Sequence, residues 1–174
     1  NCDLSRTVIV MMDNYVLKEN GTFIHCPDES HYSCMKFALD NIRDVINAGL
    51  PRKKQITDEH IWIPDPADPD AYETKIRDAG GTDLFIVASG ASDGHVAFNP
   101  PGSSRDSTTR ILKLAETTRE DNLSTFPQFN SIDNVPEYGV SVGIDTIVSC
   151  SAAVACVIHG AYKNVAVQEL VARD

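Results

Sequence analysis

The stretch 83–110, DLFIVASGASDGHVAFNPPGSSRDSTTR, constrains the chain more than any other. It opens on the apolar run LFIVA (84–88), which shows no alternation and predicts a strand buried on both faces, as in a parallel sheet. Ser89-Gly90-Ala91-Ser92 breaks that strand and delivers Asp93-Gly94-His95 to its carboxyl end. In open α/β sheets, ligands bind in the crevice beyond the carboxyl ends of the strands. An acid and an imidazole two residues apart therefore fall where chemistry is done. Small residues around them, Gly90, Gly94 and Gly102 among others, let backbone N–H groups approach an anion or a sugar hydroxyl.

The flanking segments repeat the strand–helix alternation. Residues 7–12 (TVIVMM) predict another strand buried on both faces, with Asp13 at its carboxyl end as either a turn cap or a base. Asn20-Gly21 marks a turn. Residues 30–47 predict an amphipathic helix, with Met35, Ala38, Leu39, Ile42, Val45 and Ile46 on one face and Ser30 as N-cap. A short strand at 61–63 stops at Pro64, and a helix at 71–79 stops at Gly80-Gly81. Further on come a short helix at 117–122, a loop at 123–136 long enough to serve as a lid, a strand at 138–142 and a helical turn at 144–149. A buried strand at 154–158 and a last helix at 161–173 follow. Lys163 opposes the dipole at the start of that helix, a placement that either anion binding or solvent exposure would account for. The order predicts an α/β fold, a three-layer open and mostly parallel sheet with helices on both faces, Rossmann-like in type. Residues 1–174 are read as one domain, incomplete at its N-terminus because the chain enters an apolar run within a few residues.

Charge narrows the partners. With 25 acidic against 15 basic side chains the net charge is −10, a field that disfavours nucleic acid and anionic membranes. It leaves room for a small phosphorylated substrate held by local N–H groups and a cation or two. No apolar run approaches the ~20 residues of a membrane helix, so no membrane partner is expected. The five cysteines, Cys2, Cys26, Cys34, Cys150 and Cys156, show no CxxC spacing. They read as reduced thiols, mostly buried, in a cytoplasmic protein, and no metal site is expected.

The motif Ser92-Asp-Gly-His-Val-Ala-Phe-Asn-Pro-Pro-Gly-Ser-Ser104, followed by Thr109-Arg-Ile111, resembles the signature of the glucosamine-6-phosphate deaminases (isomerases). Val10-Met-Met-Asp-Asn-Tyr15, Val135-Pro-Glu-Tyr-Gly-Val-Ser-Val-Gly143 and His159-Gly-Ala-Tyr-Lys163 resemble further family segments in the same order. Asp-Gly-His alone is shared with 6-phosphogluconolactonases, whereas Val-Ala-Phe-Asn favours the deaminase branch.

This resemblance implies roles one residue at a time. Asp13 matches the carboxylate that moves the proton between C2 and C1 of the open-chain sugar, and His95 the imidazole that opens the pyranose ring. Asp93 matches the acid that orients that imidazole, and Lys163 the lysine on the substrate phosphate. Gly94 and Asn14 are placed with substrate binding, and Arg110 matches an arginine of an allosteric pocket in regulated bacterial members. No organic cofactor is implied, and a homo-oligomer is expected.

Three departures stand out. Asn99-Pro100-Pro101 replaces the family's Asn-Glu-Pro, so a glutamate that supports the histidine is missing. No arginine lies between Arg119 and Arg173, where a phosphate-binding arginine is expected near residues 124–126. Leu112 replaces the lysine of the allosteric pocket. The first expectation is therefore deamination of glucosamine 6-phosphate or galactosamine 6-phosphate to a ketose 6-phosphate and ammonia. Its alternatives are a lactonase-like hydrolase and a sugar-phosphate-binding homologue without turnover.

Overall fold

The structure is a computed structural model that describes residues 2–172. Asn1 in the opening stretch and Arg173 in the expected last helix lie outside the described residues. In chain order the strands are β1 (Ile9–Val10), β2 (Asp13–Glu19), β3 (Thr22–His25), β4 (Ile61–Trp62), β5 (Phe85–Ala88), β6 (Arg110–Lys113), β7 (Tyr138–Ser141) and β8 (Val154–Val157). The helices are α1 (Cys34–Phe37), α2 (Asp44–Asn47), α3 (Asp70–Asp78), α4 (Glu116–Thr125), α5 (Ile144–Ser149) and α6 (Asn164–Ala172). A π-helical turn, Ala38–Arg43, joins α1 to α2 into one continuous helical segment.

The fold is α/β, but its largest sheet is antiparallel, which corrects the expectation of a mostly parallel one. Among the strands of the described residues, β1 pairs with β4 and β5 with β8 in parallel, while the third sheet runs β3-β2-β7-β6 and is antiparallel throughout. The cause is visible at two points. Asn20 (φ +50°) and Gly21 (φ +85°) both take left-handed backbone, the geometry of a two-residue hairpin turn, so the chain folds β3 back on β2. Upstream, the expected strand 7–12 divides. Met11 N still donates to Trp62 O beside β4, but Met12 O accepts from Val142 N beside β7. The backbone changes partner between two consecutive residues, and Asp13 begins the second strand at that crossover.

The core falls into three clusters. Tyr72 and Ile76 of α3, Phe85 and Val87 of β5, Val142 and Ile147 form one. Tyr15, Cys26, Phe98 and Leu114 form another, and Ala38, Ile56 and Ile61 the third. The strands at β5 and β8 are not buried on both faces as expected. Strand β5 alternates, with Phe85 and Val87 buried and Ile86 and the preceding Leu84 exposed, whereas β8 exposes Val154, Cys156 and Val157. Val165, Leu170 and Val171 of α6 are also exposed and apolar. A strand turns successive side chains to opposite faces, so among the described residues one face of β5 is covered while β8 has exposed residues on both faces.

Three other expectations shift. The helix expected from Ser30 starts at Cys34, capped by Ser33 Oγ, which accepts from Lys36 N at 3.2 Å. The stretch 123–136 is pinned rather than free to close as a lid. Its Phe129 is buried against His31 and Tyr32, and Arg119 donates to Ile132 O (2.6 Å) and Val135 O (3.0 Å). All five cysteines are free, but Cys2 and Cys156 are exposed.

Ile76 is 1% exposed in the first cluster and Val45 is 64% exposed on the helical segment. Ile76→Ala is expected to cost about 2–5 kcal/mol of unfolding free energy in urea denaturation. Val45→Ala is expected to stay within about 0.5 kcal/mol of the parent in the same measurement.

Candidate active site

The crossover at Met12–Asp13, the end of β5, helix α4 and the turn before α6 converge on a cleft of about 680 Å³. Met12, Asp13, Ser89, Gly90, His95, Asp121, Ser124, Thr125, Tyr162 and Lys163 are among its lining residues. Four separate chain segments are thus brought together at the carboxyl end of β5.

His95 is held from two sides. Its Nδ1 lies 2.6 Å from Asp93 Oδ1, which also accepts the His95 backbone N–H at 3.1 Å. A carboxylate can only accept, so Nδ1 carries a proton and donates it to Asp93. Thr118 Oγ1 approaches the same Nδ1 at 3.3 Å, and Thr117 Oγ1 donates to the other Asp93 oxygen at 2.5 Å. Burial acts to raise the Asp93 pKa, but the Thr117 hydroxyl, the His95 N–H and the imidazole outweigh it and hold the carboxyl below its ordinary value. Gly90 makes this packing possible, because a Cβ there would overlap the imidazole ring. Gly94, at φ +72°, supplies the left-handed turn between acid and imidazole.

Asp121 anchors the loop that carries this pair. Its Oδ2 accepts from Ala91 N (3.1 Å) and Ser92 N (3.2 Å), and its Oδ1 accepts from Ser92 Oγ (2.6 Å). Thr117, Thr118 and Asp121, spaced along α4, together grip residues 91–95. None was singled out in the sequence, and nothing local marks them, since their partners lie 23 to 30 positions upstream.

Asp13 is the opposite kind of carboxylate. Burial pushes its pKa from the ordinary 3.8 up to about 7, offset in part by a hydrogen bond that Cys34 Sγ donates to Oδ1 at 3.4 Å. Lys163 lies in a 3-10 turn (Ala161–Lys163) ahead of α6, rather than in the first turn of that helix, and donates to Ser89 O. With three N–H donors it retains capacity for an anion. Ser89 Oγ, buried and without a hydrogen-bond partner among the described residues, borders the same cleft.

The other expected site residues fall elsewhere. Asn14 is 1% exposed and spends its side chain on structure: Oδ1 accepts from Cys34 N (3.1 Å), and Nδ2 meets His25 Nδ1 (3.0 Å). Gly94 borders a second groove, beside Val165 and Ala166. Arg110, on β6, donates to Thr108 O and Ser103 Oγ and does not line the cleft. Ser124 and Thr125 line it near where an arginine was expected, and Lys163 is the sole lysine or arginine among its described lining residues. Among the described residues no group of three or more His, Cys, Asp or Glu is placed to hold a metal ion.

Fold and cleft together define an α/β protein in which a carboxylate, an imidazole and a lysine line one cleft. No protein-family model matches the chain. A glucosamine-6-phosphate deaminase of Arthrobacter sp. (strain FB24) is 38% identical over 97% of this chain and 59% of its own length. One from Porphyromonas gingivalis is 38% identical over 98% of this chain and 60% of its own. Among solved structures, a monomeric glucosamine-6-phosphate deaminase of the NagB superfamily superposes with a TM-score of 0.68. It is 28% identical and matched over 96% of this chain and 63% of that one. The chain is similar to these glucosamine-6-phosphate deaminases over nearly its whole length, and it spans about three-fifths of theirs.

Gly90→Ala is expected to push the imidazole off Asp93, which ¹⁵N NMR of His95 will register as loss of the fixed Nδ1–H form. The Asp13 carboxyl binds its proton more tightly folded than unfolded, so its contribution to stability falls as pH rises from about 4 to about 7. Denaturation midpoints across that range are expected to decline less steeply in Asp13→Asn than in the parent.

Proposed function

We propose that this protein is an enzyme that isomerises and deaminates an amino-sugar 6-phosphate, glucosamine 6-phosphate or galactosamine 6-phosphate, to a ketose 6-phosphate and ammonia. The observation that carries this is the convergence of Asp13, the Asp93-backed His95 and Lys163 on one cleft. The named activity of the family relatives supports it.

The chemistry follows from the two carboxylates. With Nδ1–H committed to Asp93, His95 Nε2 takes the proton of the anomeric hydroxyl and delivers one to the ring oxygen, opening the pyranose to an aldehyde. Ionised Asp13 then removes the C2 proton, giving an enolamine, and returns it to C1, leaving an iminium at C2. Water adds there and ammonia departs, which balances the conversion to ketose. A base that takes and returns a proton works best with its pKa near the working pH, and burial brings Asp13 to about 7. Lys163 offers its remaining donors to the phosphate, and Ser89 Oγ, Ser124 and Thr125 add hydroxyls at the cleft.

We further propose that residues 1–174 form one domain of the open, three-layer type, supported by the superposition with the solved deaminase, and that it works in the cytoplasm. Among the described residues no helix is long and apolar enough to cross a membrane. The homo-oligomer expected from the sequence stands against a solved relative described as monomeric, and sedimentation of the protein distinguishes the two states. A second reading, sugar-phosphate binding without turnover, is favoured by a single feature: Lys163 as the one described cation in the cleft.

Ammonia release from both hexosamine 6-phosphates tests the proposal. The parent is expected to turn over one of them, with kcat lowered about 10²–10⁴-fold in Asp13→Asn and in His95→Gln. Bound sugar phosphate with no ammonia from the parent would establish the second reading instead. Unchanged turnover in Asp13→Asn would remove Asp13 from the chemistry.

A further inference from the structure

The thiol of Cys34 is the one hydrogen-bond donor to the Asp13 carboxyl among the described residues, at 3.4 Å from Oδ1. Its location is not left to side-chain chance. Ser33 caps α1 and is itself 3% exposed, so the first turn of the helix is fixed in place. The Cys34 backbone N–H is tied to Asn14 Oδ1 at 3.1 Å, and Asn14 is the residue next to Asp13 on β2. Asn14 is in turn held by His25 of β3. The same short segment of β2 thus locates both the carboxyl and the helix turn that carries its donor.

We propose that Cys34 is a positioning residue for Asp13: its S–H holds Oδ1 and leaves Oδ2 as the oxygen that exchanges a proton in the cleft. The inference rests on the acid–base role given to Asp13 above. No hydrogen bond to Oδ2 is formed among the described residues, whereas Oδ1 is taken. The thiol suits this task because it is a weak donor. A strong donor would stabilise the carboxylate and weaken it as a base, while no donor would leave a desolvated carboxyl free to rotate. Burial keeps the thiol itself protonated, well above its ordinary pKa, with the Asp13 charge adding to the effect. Cys34 therefore acts as a donor and not as a nucleophile.

Other groups facing Asp13 do not take over this part. Tyr15 on the same strand and Tyr72 on α3 feel the Asp13 charge, and burial holds both phenols neutral, above their ordinary range. The Tyr72 hydroxyl donates to Met11 O (2.8 Å) and also lies 3.0 Å from Trp62 O. His95, Lys163 and Asp121 border the cleft with Asp13 but are hydrogen-bonded to Asp93, Ser89 and the 91–92 backbone respectively.

The test compares the parent with Cys34→Ser and Cys34→Ala, all as the full chain, folded by circular dichroism. Two readouts are taken: the Asp13 titration by ¹³C-carboxyl NMR, and kcat/KM for ammonia release against pH. Losing the donor disfavours the ionised form, so Asp13 is expected to titrate higher in Cys34→Ala by about half a unit or more. The stronger hydroxyl donor of Cys34→Ser is expected to move it below the parent. On the acidic limb the Ala variant then loses about threefold in kcat/KM at fixed pH, that half-unit expressed as a rate. The order Ser, Cys, Ala from lowest to highest titration point supports the proposal. Coincident titrations in all three, whatever happens to stability or to the activity plateau, overturn it. The NMR titration needs no turnover, so a protein that releases no ammonia refutes the deaminase reading and still decides the role of Cys34.

Discussion

The short edge where β7 ends is the constraint on which the rest of the site depends. Ser141 pairs with Asp13 across the β2–β7 ladder, and Val142 N donates to Met12 O. The same two residues also grip the loop that follows His95: Ser141 Oγ accepts from Phe98 N (3.1 Å), and Val142 O accepts from Asn99 Nδ2 (2.9 Å). Ser141 and Val142 are fully buried, so water does not compete for these bonds. One end of one strand therefore sets the distance between the segment that carries Asp13 and the segment that carries the imidazole. Gly139 in the middle of β7 is part of this arrangement, since a Cβ there would come within 2.5 Å of the Phe98 ring.

The two carboxylates show how one fold gives the same side chain two chemistries. Asp93 is half-surrounded by donors, from Thr117, the His95 backbone and the imidazole, and is held ionised. Asp13 has one weak donor and a desolvating pocket, and its proton affinity rises to the neutral range. Such divergence separates an orienting group from a proton-transferring one. The separation comes from packing, because nothing in the two local sequences tells a buried aspartate from a solvated one.

Helix α4 explains how the imidazole is supported although Pro100 stands where a glutamate would be expected. Thr118 approaches Nδ1, Thr117 holds the far oxygen of Asp93, and Asp121 closes the loop through the 91–92 N–H groups. These contacts are short hydroxyl and amide bonds to a loop with little freedom, and they leave His95 Nε2 without a hydrogen bond among the described residues.

The amino-acid sequence by itself determined which acid, imidazole and lysine stand where apolar segments end. Asp93-Gly-His95 after an apolar strand was legible, because an apolar run broken by glycine and serine marks a strand end without reference to the rest of the chain, whereas Asp13 opens β2 instead of following a strand and Lys163 precedes α6 instead of lying in its first turn. The exact span of α5, Ile144–Ser149, was legible for the same local reason. Tertiary structure alone decided the antiparallel sheet, the change of partner at Met11–Met12 and the exposure of β8 and of one face of β5, since strand pairing depends on residues far apart in the chain. It also decided which polar residues work and which merely hold: Asn14, adjacent to Asp13, is spent on Cys34 and His25, whereas Asp121 and Cys34, unmarked in the sequence, reach the site. Composition and periodicity record what a residue can do, and only packing records which neighbours remove it from water.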